Sequence, residues 1–449
     1  MKLLLALALF CTPLLAQEQL KPVTLNDLLQ HGNEHNMDVA AARWKMAASA
    51  AQLRKAESAR FLPRLRLDIE SGLVPEAKGD IFNPPADTSG LRPLGPFSRS
   101  ELEFIQPIYP ISRGRQLKSA AENGVSVDAA DLLDARVQSA YEIKKLYHGQ
   151  LLAQELLDLV QRLQNDLEEQ RQELEESTAL PMSNRYKFEL ALIDLAKQER
   201  KARAQLDLAR RALAWQAGFD ETTPLQVRAR WLAPVTVRGF DLDQLREKAF
   251  MERPDGRKLQ AGIAAKRALR DAAKGAYKPQ VYLGGGVRFA IAPGRTDQHN
   301  PFVKDEFNLF NGAVFLGIRQ SLEFHLMAAD VAKADAEYRQ LASMEKRARQ
   351  GAQLDVQRAF AQYRRAEDDL EAARESRSLA RQWLKEAKEE YEFDPDQIKE
   401  LISAFESWAH IEQQYLQSIY DFNISVADLE KASGGISLSE ENPDALRDD

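Results

Sequence analysis

The stretch His31-Gly32-Asn33-Glu34-His35 reads H-x-x-E-H. In that arrangement two histidines on one helix face can hold zinc and a glutamate can act as general base. Such a centre needs a further ligand and a shell that orients the imidazoles. The corresponding segment in the second half of the chain, Ala249 to Gly256 (AFMERPDG), carries no histidine. HGNEH is therefore expected to be a solvated loop between two helical pieces, with the first helix breaking before Asp38. Gly284-Gly285-Gly286 could cradle phosphate, but no G-K-[ST] follows. The three glycines fall inside an alternating strand pattern, where they are expected to permit bending or close approach. The leucine stripes are expected to be helical seams. No catalytic constellation, cofactor or metal site is expected, and the reading is non-enzymatic.

The elements that would carry any function are long. The chain has 449 residues, 44% hydrophobic and 29% charged, with a formal net charge of −7. Its 61 basic and 68 acidic residues are interspersed, with no basic stripe for nucleic acid. Residues 1–16 read as a secretory signal peptide: Lys2, an apolar run from Leu3 to Leu15, and Ala16 before Gln17. Cys11, the single cysteine, lies in that segment behind the bulky Phe10, which disfavours lipidation. No later stretch reaches 18 uninterrupted apolar residues, so any membrane span would have to be β.

The chain repeats itself. QLRKAESARFLPRLRL (Gln52 to Leu67) matches ALRDAAKGAYKPQVYL (Ala268 to Leu283), with Leu53, Ala56, Phe61 and Pro63 answered by Leu269, Ala272, Tyr277 and Pro279. VQSAY from Val137 matches VQRAF from Val356, and the glycine of WQAG at Gly218 matches that of KASG at Gly434. The reading is two structural repeats, 17–226 and 227–434, followed by an acidic tail, 435–449. Each opens with a capping signal, Thr24 to Asp27 or the weaker Asp241 to Gln244. An Ala-rich helix follows and ends before Pro63 or Pro279. Strand-like alternation then predicts hairpins over about 64–72 with 98–109, and about 280–291 with 309–322. Ile111 to about Thr178 is proline-free and leucine-periodic, long enough for a helix of roughly 100 Å. After a break at Leu180-Pro181-Met182-Ser183-Asn184 a helix returns from Tyr186 to about Ala217. The second repeat does the same: Phe324 to Phe393, a break at Asp394-Pro395-Asp396, then Ile398 to Ala432.

The fold class is therefore mainly α with membrane β: a duplicated unit of one long antiparallel coiled-coil helical hairpin plus one β-hairpin. Four strands leave open edges. Three chains would close them into a trimeric 12-stranded β-barrel, with the helices packed around the same axis.

These residues carry a family resemblance. The duplication, the segment Glu252 to Val281, QPIYP at Gln106 to Pro110, VQSAY, and above all Tyr391 to Gly434 resemble the TolC-type outer-membrane efflux proteins, with coverage from about Thr24 to Gly434. The resemblance implies a homotrimeric conduit. Its barrel would sit in outer-membrane lipid and continue as an α-helical periplasmic tunnel. It would work with a periplasmic adaptor and an inner-membrane pump, with no chemistry on the cargo. It also implies an iris gate at the helix ends. On the family's tip pattern Tyr391 and Ala404 match. Asp394 replaces a glycine and Asp396 an arginine. Glu400 keeps one acidic ring, while Ser403 loses the second. Arg185 falls, in one register, where it would pair with Asp396. The adaptor-contacting tips would be Leu180, Pro181, Met182 and Ser183 in the first repeat, and Phe393, Asp394 and Pro395 in the second. The other reading is a non-transporting periplasmic coiled-coil scaffold or adaptor.

Overall fold

The computed structural model describes residues 22–79, 82–83, 93–109, 111–176, 182–220, 225–298, 300, 302, 304–394 and 397–440. One succession of elements appears twice. The first pass is α1 (Leu25–His35), α2 (Met37–Phe61), β1 (Arg64–Pro75), β2 (Leu94–Tyr109), α3 (Ile111–Glu176) and α4 (Met182–Gln216). A two-residue strand, β3 (Thr236–Val237), leads into the second pass. This runs α5 (Leu242–Glu252), α6 (Pro254–Lys274), β4 (Gln280–Ile291), β5 (Leu309–Arg319), α7 (Phe324–Phe393) and α8 (Ile398–Ala432), with β6 (Ser439–Glu440) at the end.

The strands differ from expectation at their ends. β1 runs on to Pro75 and β2 starts at Leu94, while β5 stops at Arg319. The break expected at 180–184 is shorter, because Met182 and Ser183 already belong to the first turn of α4. Leu180 and Pro181 lie outside the described residues.

The chain divides into two compact units. One comprises Ala41–Asp134 and Phe250–Gly351 and contains the sheet. Its strand order is β1-β2-β4-β5, and every neighbouring pair is antiparallel. The glycine run sits in β4 because its neighbours leave no room. A Cβ at Gly285 would lie 2.6 Å from both the Ala313 carbonyl oxygen and the Phe104 ring, and one at Gly286 would lie 2.8 Å from the Leu102 carbonyl oxygen. Close approach is the role these glycines play. Ion pairs tie the helices of this unit: Lys45 to Asp131 at 2.5 Å, Lys258 to Asp131 at 2.6 Å, and Lys266 to Glu337 at 2.7 Å.

The other unit comprises Met1–Ala40, Ala135–Ala249 and Ala352–Asp449. It opens on the expected capping box: Thr24 Oγ1 accepts from the Asp27 amide at 3.2 Å, and Asp27 returns the bond to the Thr24 amide at 3.0 Å.

HGNEH corrects the expectation of a loop. It forms the last turns of α1. The His31 ring stacks on Phe219 at 3.8 Å and on His35 at 4.1 Å. Its Nδ1 donates to the Ala217 carbonyl at 2.7 Å, and Asn36 Nδ2 donates to the Gln216 carbonyl at 2.9 Å. These two residues therefore cap the carbonyl end of α4, whose last carbonyls have no partner within the helix. Gly218, at φ +81°, makes the turn there against the backbone of His35. The segment is placed here because His31 and Asn36 serve the unmet end of α4, while His35 Nδ1 bonds the His31 carbonyl of its own helix at 3.2 Å.

The acidic tail from Ser439, expected to be a disordered end, is ordered in its first two residues. Ser439 and Glu440 form β6, which pairs with β3, and residues 441–449 are outside the described set. Glu430 is the reason: its Oε1 accepts from the amides of Leu438 at 2.8 Å and Ser439 at 3.0 Å, and from Ser439 Oγ at 2.8 Å.

Candidate functional site

Two surfaces could do work, one in each unit. The first is the sheet. Directly opposed residues of an antiparallel pair point to the same face, so the register sorts every side chain. Leu67, Leu102 and Val287 share one face, as do Leu283 with Leu316 and Phe289 with Phe310. That face carries no charged residue across the four strands. Its large side chains are bare: Leu65, Leu67 and Ile69 are 60–68% exposed, and Phe310, Val314, Leu316 and Ile318 are 67–80% exposed. The opposite face holds Arg64, Arg66, Asp68, Glu70, Arg99, Glu101, Glu103, Arg288 and Arg319. Six of these nine pair in place: Arg66 with Asp68 at 2.8 Å, Arg288 with Glu101 at 2.5 Å, Arg99 with Glu70 at 3.7 Å.

A sheet with one bare hydrocarbon face and one charged face is unstable in water alone, and suits lipid on one side and water on the other. Among the described residues no helix is long and apolar enough to cross a membrane. The edge strands β1 and β5 run in opposite directions, because three antiparallel pairings separate them. The β5 of one copy can therefore join the β1 of another without breaking the alternation, which closes edges by rotation.

The second surface is the end of the α7–α8 hairpin. Leu384 and Ala387 of α7 pack on Leu401 and Ala404 of α8, with Trp383, Tyr391, Phe405 and Trp408 around them. Tyr391 is thus half-buried against its own hairpin, and Ala404 is fully buried. Glu400 and Ser403 are exposed. Glu400 lies in the first turn of α8, where unpaired amides favour a carboxylate. Its Oε1 accepts from Trp383 Nε1 at 3.2 Å. Asp394 closes the hairpin: its amide donates to the Glu390 carbonyl at 2.9 Å, and its carbonyl accepts from the Gln397 amide at 3.1 Å. Phe393 is 91% exposed. The structure thus brings Tyr391, Glu400 and Ala404 together on one hairpin end. Pro395 and Asp396 lie outside the described residues, as does the side chain of Arg185, so the expected Arg185–Asp396 pair does too.

Sequence reasoning missed the polar pins of this unit. Arg377 donates to Glu412 through Nε and Nη2, both at 2.8 Å, with both side chains buried. The guanidinium also lies 4.5 Å over the Tyr415 ring. Lys144 pairs with the buried Glu430. His148 Nδ1 accepts from Asn423 Nδ2 at 3.3 Å, and Asn423 in turn holds the Ala233 carbonyl and the Val235 amide, each at 2.9 Å. Burial and the nearby Lys144 charge pull the His148 pKa down to about 3. A signal for Arg377 was available: Val356, Tyr363, Leu370, Arg377 and Leu384 are spaced seven apart along one buried seam.

No family model matches the chain, and no curated protein matches it. Its fold is shared with solved structures. A membrane protein from Pseudomonas aeruginosa aligns with a TM-score of 0.74 and 17% identity, covering 95% of this chain and 94% of that one. The CmeC outer membrane channel of Campylobacter jejuni aligns at 0.73 and 17%, covering 93% and 87%. The open state of the MtrE outer membrane channel of Neisseria gonorrhoeae aligns at 0.73 and 18%, covering 92% and 89%. The chain thus shares its fold with the outer membrane channels CmeC and MtrE.

Proposed function

We propose that the chain is one subunit of an outer-membrane channel of the TolC type, the exit duct of a multi-component efflux or secretion system. The two-faced sheet carries this reading. Its uncharged, exposed face matches the lipid side of a membrane barrel, its charged face matches a wet lumen, and its free edges call for further copies. Three copies would give a 12-stranded barrel. The twice-used order of elements supports an internal duplication, 17–226 and 227–434, behind a signal peptide that sends the chain across the inner membrane.

In this reading the long α3–α4 and α7–α8 hairpins form the periplasmic tunnel, and their ends form an iris. Glu400 would ring the axis, with Tyr391, Asp396, Ser403 and Arg185 around it. Leu180, Pro181, Met182, Ser183, Phe393, Asp394 and Pro395 would meet a periplasmic adaptor, which links the duct to an inner-membrane pump. Phe393, bare at the hairpin end, is suited to such a contact. A non-transporting periplasmic scaffold would have no use for a bare apolar sheet face.

Single-channel conductance of the purified protein in planar bilayers, with Glu400→Ala beside it, tests the reading. Ohmic, cation-selective pores are expected, with divalent block weakened in the variant. Pores indifferent to the change would keep the channel and move the gate from Glu400. A folded, trimeric preparation that never inserts would overturn the channel in favour of the scaffold.

A further inference from the structure

Close to the gate candidates the helical unit holds a groove of about 690 Å³. Its walls are apolar: Leu163 and Leu167 from α3, Leu190 and Leu195 from α4, Ile402 and Phe405 from α8. Its charged lining is Asp166, Glu169, Asp194 and Glu406 against Lys388 and Lys399. Carboxylates outnumber ammonium groups two to one. Among the described residues no ion pair joins any of these six. The volume lies in the ordinary range for small-molecule sites, and the combination of apolar walls with a few polar groups is their usual chemistry. Unpaired carboxylates beside bare hydrocarbon select against anions, which would be desolvated next to like charge, and favour a cation whose charge is carried on an apolar body.

From this we infer that the groove between the two helical hairpins is a binding site for a lipophilic organic cation. Both hairpins build the walls, so an occupant touches α3 and α4 on one side and α8 on the other. Lys399 and Leu401 flank Glu400 in sequence, so the site lies next to the segment assigned above to the iris. Its effect on the gate rests on that assignment; the binding itself does not.

Rhodamine 6G is a suitable probe. Its fluorescence anisotropy is followed against the assembled protein in lipid nanodiscs, with empty nanodiscs subtracted. Saturable binding is expected, at least tenfold tighter than that of fluorescein, which has a similar ring system and negative charge. Asp194→Asn with Glu406→Gln should weaken rhodamine binding about tenfold and narrow the gap to fluorescein. Leu190→Trp, which fills the groove from an exposed position, should remove it, with circular dichroism reporting an unchanged fold. Equal affinity for both dyes, or rhodamine binding untouched by these variants, would overturn the site. So would absence of binding to the assembled protein together with binding to a dissociated subunit, which would make the groove a subunit contact. Conductance separates the two claims: pores that do not bind rhodamine 6G sink the site alone, and binding without pores sinks the channel alone.

Discussion

α4 and α8 are the returning arms of the two helical hairpins, each 35 residues long, and they treat their apolar residues in opposite ways. α4 buries Ala202 and Leu206 against Leu157 of α3, yet leaves Tyr186, Leu190, Ile193, Leu208 and Trp215 56–69% exposed. α8 leaves no large apolar side chain exposed among the described residues. It packs on α7 through Leu401 and Ala404 and on α3 through Leu416, which meets Leu159 and Leu163. α8 is thus the central helix of its unit and α4 a peripheral one. The polar groups follow the same division: Glu412, Asn423 and Glu430 are buried along α8, and each is matched to a specific partner. Such pins at seam positions fix register, at a cost in stability that plain hydrocarbon would avoid.

The largest effect should come from breaking a pin of the central helix. Glu412→Ala leaves the Arg377 guanidinium buried without its carboxylate, and removing one partner of a buried pair costs about 3–5 kcal/mol. Thermal unfolding of the assembled protein should show that loss. Arg377→Met with Glu412→Leu should recover most of it, because two apolar residues of similar volume remove the desolvation problem altogether. If the single variant unfolds like the wild type, α8 is not the tightly packed centre that its burial implies.

His148 gives the next largest effect, through pH. An unfolded imidazole titrates near 6.5, whereas the buried ring is held at about 3. Above 6.5 neither state binds the proton. Between 6.5 and 3 the unfolded chain takes it up and the native chain does not, so stability falls as pH falls through that window. The loss from about pH 7.5 to about pH 5 is on the order of 2 kcal/mol. The groups facing the ring are Lys144, which opposes its charging, the Asn423 amide and the Tyr147 ring. His148→Gln keeps an acceptor for Asn423 and cannot charge. Thermal unfolding of this variant at both pH values should show a flatter dependence, and an unchanged slope would assign the acid sensitivity to other groups.

Most of the architecture was legible because it is written in periods. Alternation gave β4 its bounds at Gln280 and Ile291, since burial in a strand repeats at every second residue, and the break at Asp394-Pro395-Asp396 parted α7 from α8. What stayed hidden depends on distant partners. HGNEH looked like a loop because His31 and Asn36 serve the end of α4, 180 or more residues away, and no local pattern records that. Ser439 and Glu440 looked like tail because the residue that holds the segment, Glu430, does so with one carboxylate. For the candidate gate, it was the resemblance to the family's tip pattern, and not any periodicity, that put Tyr391, Glu400 and Ala404 at one hairpin end. That Trp383 would hold Glu400 was not legible, since it depends on the crossing of two helices that the seam fixes only approximately.

The smallest effect within a subunit should come from α4. Leu208 and Trp215 lie on its exposed stripe, and changing exposed positions shifts folding by about 0.5 kcal/mol or less. Leu208→Gln with Trp215→Gln should therefore leave helix content and the unfolding of an isolated subunit nearly unchanged. In an assembly of several copies the part of the stripe around Leu208 and Trp215, away from the groove at Leu190, is the surface left for a neighbour to cover, because water-facing rows of large apolar residues are otherwise costly. The double variant should then dissociate into single subunits at higher protein concentration than the wild type, as read by analytical ultracentrifugation in detergent. Unchanged association would mean that α4 faces solvent or an outside partner in the assembled state. The contrast with α8 would then describe an outer wall of the proposed tunnel and not a seam between copies.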